Sequence, residues 1–254
     1  MIDTHTHLYL SDFSNDIDEI MQKCQISGIH HLILPNIDKE SVPQMNDLHS
    51  KYPAITSIAM GLHPTEVKED WENIMTEMGK ELESGKFVAI GEVGMDLYWD
   101  QTFANQQKQA FRHQLSLAEK YKLPVIIHCR NALTETLEAI NEVKPTVTPI
   151  FHSFTGNKED VRTIREVCDP FFGINGVITY KNARELREAL PEIGIEKILL
   201  ETDSPYLSPV PNRGKRNDSN NLKYIKDKIA EVLNIEPLKV EEITDLNAKS
   251  VFTL

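Results

Sequence analysis

Short apolar runs alternate with longer stretches of helical period from one end of the chain to the other. The runs are MIDTHTHL (1–8), HHLILPN (30–36), ITSIAMGLHP (55–64), FVAIGEVG (87–94), LPVIIHC (123–129), TPIFHSF (148–154), PFFGINGVI (170–178) and KILLETD (197–203). Between them the pattern recurs at three and four residues, as in Phe103, Gln107, Ala110, Phe111, Gln114 and Ala118, or in Leu133, Thr136, Leu137 and Ile140. That spacing predicts amphipathic helices, so the chain reads as eight strand-helix units. Strands buried on both faces read as continuous apolar runs, and unbroken alternation fits a closed parallel (β/α)8 TIM barrel of the α/β class better than an open sheet. After the eighth strand, Leu222, Ile225, Ile229 and Val232 form one helical stripe. A C-terminal helix is predicted to open at Pro237 and to carry Leu238, Ile243 and Leu246 on its inner side. No linker, repeat or low-complexity segment interrupts the pattern, so residues 1–254 are expected to form a single domain.

Composition narrows the function classes. With 27 Lys+Arg against 39 Asp+Glu the net charge is −12, which argues against coating duplex nucleic acid by general attraction. It leaves room for a site where bound cations supply the positive charge. Cys24, Cys129 and Cys168 are odd in number, widely spaced and free of any C-x-x-C pair, so neither a disulfide framework nor a thiolate zinc site is indicated. The chain opens without a basic segment and apolar core, and no apolar run reaches about 18 residues, so a cytoplasmic protein without a membrane anchor is expected.

Histidines and carboxylates gather at the carboxyl ends of the predicted strands. His5 and His7 close strand one, His63 strand three, Glu92 strand four, His128 strand five, His152 strand six and Asp203 strand eight. Side chains two apart on a strand share a face, so His5 and His7 point into one space. The carboxyl-end rim is where barrel enzymes assemble their chemistry from several strands. Taken singly, each residue has a plainer explanation: solvated histidines near a terminus, a core imidazole bonded to a carbonyl, a capping carboxylate. Together they would be costly to bury without a compensating cation. Nitrogen and oxygen ligands suit zinc, manganese, nickel, iron or cobalt, and magnesium less well. Strand alternation turns Cys129 away from the mouth. Six ligands exceed what one tetrahedral catalytic zinc takes, whereas two divalent ions sharing a carboxylate would use them.

In the order DTHTHL (3–8), GLHP (61–64), GEVGMD (91–96), IIHCRNA (126–132), FHSFTG (151–156), ETDSPYL (201–207) and RGKRN (213–217), the chain resembles the TatD-like metal-dependent hydrolases, a branch of the amidohydrolase superfamily that includes deoxyribonucleases. The resemblance implies a (β/α)8 barrel with a two-metal centre. His5, His7 and Asp203 would bind one ion, His128 and His152 the other, and Glu92 would bridge them. The chain has Tyr9 where the family often has an acidic residue, and Asp218 and Ser219 where it often has proline. Both departures bear on substrate preference more than on metal binding.

The parts suggest a two-metal hydrolysis of a phosphodiester, with Asp203 accepting a proton from the attacking water and Glu92 holding the ions at their separation. His63 and Arg130 follow strand ends and are candidates to meet a phosphate. Ser153, Thr155, Gly156 and Asn157 precede a helix; they suit either an anion or ordinary capping. Tyr206, Tyr98 and Trp99 offer stacking faces, Arg213, Lys215 and Arg216 a basic loop, and Asp96 either orients a ligand or fixes its loop. The expected activity is that of a 3′–5′ exodeoxyribonuclease on the ends of single-stranded DNA, with RNA as a further substrate, acting as a monomer. Two other classes stay open: a small-molecule amidohydrolase or phosphoesterase using the same centre, and a non-catalytic scaffold that binds nucleic acid or protein.

Overall fold

The computed structural model describes residues 1–254. Eight strands run in chain order: β1 (Ile2–Asp3), β2 (His31–Pro35), β3 (Thr56–Met60), β4 (Phe87–Asp96), β5 (Val125–Arg130), β6 (Pro149–Phe151), β7 (Phe171–Ile174) and β8 (Ile198–Leu200). Each pairs in parallel with the next, in the order β1-β2-β3-β4-β5-β6-β7-β8. The ring is drawn shut between its ends by the Thr4 amide donating to Leu200 O at 2.9 Å, by a parallel bridge between Thr6 and Ser204, and by the Asp203 amide donating to His5 O at 2.9 Å. The fold is therefore the (β/α)8 barrel that the alternation predicts.

Helices α1 (Ile17–Ile26), α2 (Ser41–Lys51), α3 (Trp71–Leu82), α4 (Ala104–Tyr121), α5 (Leu133–Val143), α6 (Lys158–Val167), α7 (Arg184–Ile193) and α8 (Leu222–Leu233) follow the strands in turn. The stripes read from sequence are the buried ones: Gln107, Ala110, Phe111, Gln114 and Ala118 on α4, Thr136, Leu137 and Ile140 on α5, and Leu222, Ile225 and Ile229 on α8. Alternation divides each strand's side chains between two cores. Ile2, Ile33, Ala59, Ala89, Ile126, Ile150 and Leu199 fill the barrel interior, while Leu32, Leu34, Ile58 and Met60 pack outward on the helices.

The last helix, α9 (Pro237–Phe252), begins at Pro237 as expected but is turned differently about its axis. Leu238 and Leu246 are 71% and 64% exposed, and Ile243 is half-buried. The inward stripe is Val240, Thr244, Asn247, Ala248 and Val251, with Phe252. Two of its members are polar, which hides the stripe from a reading by hydrophobicity; Thr244 Oγ1 donates to Val240 O, and Asn247 Nδ2 to the carbonyls of Ile195 and Ile198. Ala248, Val251 and Phe252 plug the barrel where the strands begin, and Asp245 accepts from the Ile2 amide at 2.8 Å. No helix is long and apolar enough to cross a membrane.

Candidate metal centre

The opposite end of the barrel holds the clustered imidazoles and carboxylates. β1 ends at Asp3, so His5 and His7 lie just past it, in extended chain kept in place by Thr6 N–H to Ile33 O and His7 N–H to Ser204 O. Period-two alternation survives without the strand ladder, and both rings face inward. Glu92 sits within β4 rather than at its end. The pairing of β4 with β5 shifts register between Ile90 and Val93, and this irregularity lets the strand run on to Asp96 beyond Glu92. His128 lies in β5, His152 directly follows β6, and Asp203 stands three residues beyond β8 at φ +56°. Gly94 has a structural requirement: its φ is +137°, and a Cβ there would come within 2.0 Å of His128 O.

The two oxygens of Glu92 face two different groups of rings. Oε2 is 3.1 Å from His5 Nε2 and 3.7 Å from His7 Nε2. Oε1 is 2.8 Å from His128 Nδ1, 3.2 Å from His152 Nε2 and 3.4 Å from His63 Nε2. Asp203 Oδ1 joins the first group, 3.5 Å from His7 Nε2 and 3.8 Å from His5 Nε2. His7, His63, Glu92, His128, His152 and Asp203 all line a cavity of about 670 Å³ open to solvent. His5 lies beneath it, fully buried.

The partners outside the cluster decide which ring nitrogens carry protons. His7 Nδ1 is 3.1 Å from Pro35 O, while the Tyr9 hydroxyl donates to the same carbonyl at 2.6 Å. The Nδ1 proton of His7 therefore points at Pro35, and its Nε2 presents a lone pair 3.1 Å from His5 Nε2. His128 Nε2 donates to Asp96 Oδ2 at 2.9 Å, which leaves Nδ1 bare before Glu92. His63 differs: its Nδ1 accepts from the Thr65 amide at 3.2 Å, so Nε2 carries a hydrogen and acts as a donor. The lone pair of His7 thus faces carboxylate oxygens, while that of His128 lies 3.2 Å from the His63 Nε2 hydrogen donor and 2.8 Å from Glu92 Oε1; a cation among these atoms would offset their mutual repulsion. The donor set, imidazole nitrogen and carboxylate oxygen without thiolate, suits a divalent transition metal. His5 Nδ1 and His152 Nδ1 are buried with no hydrogen-bond partner; Glu201 Oε1 is 3.2 Å from the latter but off the bonding direction.

Burial opposes charge throughout the cluster, and the outcome differs by residue. It holds the His5 and His63 imidazoles below their ordinary range. At His152 burial is overcome by Glu92 and Glu201, which keep the ring well above it, and at His128 by the Asp96 and Glu92 carboxylates, so that in the metal-free protein a proton competes with a metal for the Nδ1 position that is bare in the neutral ring. Glu92 and Asp203 are held low because the surrounding imidazoles outweigh desolvation.

The remaining expected contacts divide. Arg130, Ser153, Thr155, Tyr206 and Trp99 border the cavity. Cys129 borders it too, although its sulfur accepts from Thr136 on α5. Arg213 and Lys215 do not line it: the proline-rich loop turns back, with Arg213 lying 4.3 Å over the Tyr180 ring and Lys215 O accepting from Ser208. Arg216 is a clamp on Asp16 and over the Phe13 ring, not a free cation. Asn157 caps α6 in a closed box with Asp160, so capping accounts for that helix start. Residues not anticipated are Tyr9, which fixes His7, Glu201 beneath His152, and Asp3. Asp3 accepts from Thr202 N and Oγ1 at 2.9 and 2.6 Å, tying β1 to the chain after β8; burial pushes its carboxyl up to about 7. The DTHTHL and ETDSPYL motifs contain or adjoin these residues, yet their partners lie far away in the chain. Gly173 on β7 makes room for Glu201, since a Cβ would meet its Oε2 at 2.1 Å.

A (β/α)8 barrel with imidazoles and carboxylates converging at its carboxyl-end rim defines the metal-dependent barrel hydrolases as a class. Within it, the chain belongs to the TatD family, whose model, described as TatD related DNase, matches residues 2–253. It is 31% identical over 255 residues to the metal-dependent hydrolase YabD of Bacillus subtilis, covering 100% of this chain and 99% of that protein. The crystal structure of YjjV, a TatD homologue of Escherichia coli, superposes with a TM-score of 0.93 at 25% identity, over 100% of this chain and 98% of that one. A TatD family hydrolase of Entamoeba histolytica shares the fold at TM-score 0.87 and 22% identity, over 99% of this chain and 97% of that one.

Proposed function

We propose that this metal-dependent hydrolase cleaves phosphodiester bonds at the ends of single-stranded DNA, removing nucleotides from the 3′ end, and that it holds two divalent ions. The observation that carries the reading is the division of Glu92: each carboxylate oxygen serves its own set of nitrogens. His5, His7, Asp203 Oδ1 and Glu92 Oε2 would hold one ion, and Glu92 Oε1, His128 and His152 the other. When bound, such ions supply Lewis acidity, offsetting phosphate charge and making a water more acidic.

The chain's own groups then have distinct tasks. Asp203 lies at the cavity wall with its carboxyl held ionised, so it accepts the proton of the attacking water. The water oxygen joins phosphorus, the bond from phosphorus to the 3′ oxygen of the preceding nucleotide breaks, and that oxygen takes a proton from solvent. His63, whose Nε2 carries a hydrogen, donates to a non-bridging phosphate oxygen. The cavity is open and admits a strand end more readily than the interior of a duplex. An overall charge of −12 is compatible with such a site because screening confines the distant acidic surface to about 8 Å.

The test is metal analysis of the purified protein together with digestion of single strands blocked at the 3′ or the 5′ end. Two ions per chain and digestion stopped only by a 3′ block support the reading. Hydrolysis confined to amides or phosphomonoesters would replace it with a small-molecule hydrolase. Absence of both metal and hydrolysis, with manganese supplied, would leave a scaffold.

A further inference from the structure

Tyr98, Trp99 and Arg130 form a group at the cavity rim that the hydrolytic machinery does not use. Trp99 is 72% exposed and Tyr98 51%, and with Tyr206 they are the exposed large aromatics of the chain. Leaving an indole in water forfeits about 2 kcal/mol of burial, so its position calls for a partner. The two rings meet edge to face at 4.8 Å, an arrangement that leaves a face of the indole uncovered by Tyr98. Arg130 lies with its guanidinium 3.9 Å from the Tyr98 centroid and 5.2 Å from that of Trp99. Of the arginine side chains, only those of Arg130 and Arg213 make neither an ion pair nor a hydrogen bond, and Arg130 alone of these two borders the cavity.

The backbone beneath the group is tied to the candidate centre. Asp96 bonds His128 with one oxygen and accepts the Tyr98 amide at 3.0 Å with the other. Leu97 N–H donates to Arg130 O at 2.9 Å, joining the loop after β4 to the end of β5, and Gln107 on α4 anchors the Asp96 amide at 2.9 Å. The backbone that carries the aromatic rings and the guanidinium is thus tied to the candidate centre without being part of it.

We infer that Trp99 and Arg130 form a nucleotide subsite, in which the indole stacks on an unpaired base and the guanidinium binds the adjoining phosphate. This rests on the proposed action on single strands and names how the strand is held. Every base has a π-face, so stacking confers preference for unpaired strands over duplex without selecting a sequence. A planar guanidinium matches a phosphate with two parallel hydrogen bonds, and its positive charge complements the strand in an otherwise acidic chain.

Fluorescence tests binding apart from turnover. The only other tryptophan, Trp71, is buried on α3, so quenching by a short oligodeoxynucleotide in a Trp71→Phe protein reports Trp99. Trp99→Ala is expected to raise KM about tenfold on an ordinary strand, and to leave it unchanged on a strand whose terminal nucleotides are abasic. Arg130→Ala is expected to raise KM on both. Quenching with that pattern establishes the subsite. Digestion with no quenching and a neutral Trp99→Ala overturns the subsite while the hydrolytic reading stands. Quenching without digestion sustains the subsite and removes the hydrolytic reading, and absence of both removes the two together.

Discussion

Asp96 Oδ2 lies 2.9 Å from Nε2 of His128, and this contact decides which nitrogen of the ring faces Glu92. A donated Nε2 proton leaves Nδ1 as the acceptor atom 2.8 Å from Glu92 Oε1, so Asp96 sets both the tautomer and the tilt of the ring. Removing it in Asp96→Ala is expected to weaken divalent-metal affinity about 10- to 100-fold, the usual consequence of losing such a support. Asp96→Asn, which keeps an acceptor oxygen, is expected to recover part of the loss. Competition against a metal-binding dye measures both; equal affinity in all three proteins would refute the assignment.

Asp203→Asn is expected to lower turnover on single strands by at least about a hundredfold, because an amide does not take the proton of water. The amide matches the carboxylate in shape, so the melting temperature is expected to move by only a few degrees. Single-turnover digestion alongside thermal unfolding separates the effects. Near-native rates would reassign the proton acceptor.

Gly94→Ala is expected to cost about 2 kcal/mol or more in stability, since φ +137° strains any residue with a Cβ and that atom would strike His128 O at 2.0 Å. Because the clash is with the backbone of a proposed ligand, metal affinity is expected to fall with stability. Gly79→Ala on α3 is the control, as nothing lies within 4 Å of a Cβ there. Equal urea midpoints for the two variants would contradict the account.

The strand count, parallel order and barrel closure are legible because β1 to β8 are short apolar runs separated by helices of clear period, a local property of the chain. The convergence of His5, His7, Glu92, His128, His152 and Asp203 is legible for a related reason: each falls at or just beyond the buried part of a strand, and a closed barrel brings those positions to one rim. What escapes is fixed by distant partners. Tyr9 reads as an ordinary aromatic until Pro35 O is seen to receive its hydroxyl, and Glu201 as a loop carboxylate until Gly173 is seen to admit it. The phase of α9 escapes because Thr244 and Asn247, bonded to carbonyls, occupy the inner stripe that Leu238 and Leu246 were expected to fill. Adjacency to β8 puts Arg213 and Lys215 near the cavity in sequence, but the loop's own hydrogen bonds turn it aside.

His31, at the start of β2 and away from the candidate centre, carries a testable pH dependence. Burial, with His30 and His49 nearby, lowers its imidazole from an ordinary 6.5 to about 4, and its Nε2 lies 2.8 Å from Ser57 Oγ. The native state therefore prefers the neutral ring, while the unfolded chain binds a proton near 6.5. Between these values the unfolded state holds more protons, so stability rises with pH: the contribution is fully present above about pH 6.5 and is lost as pH falls toward 4. The whole shift corresponds to ~3 kcal/mol, and solvent screening of this partly exposed ring reduces it to about 1–2 kcal/mol. His31→Gln, which keeps a hydrogen-bonding group toward Ser57 and does not titrate, is expected to lose about 1 kcal/mol less than the parent between pH 7 and pH 5. Urea unfolding of both proteins at the two pH values measures the difference, in which the acid sensitivity of the clustered histidines cancels. Parallel losses would show that His31 is no more reluctant to take a proton in the folded protein than in the unfolded chain.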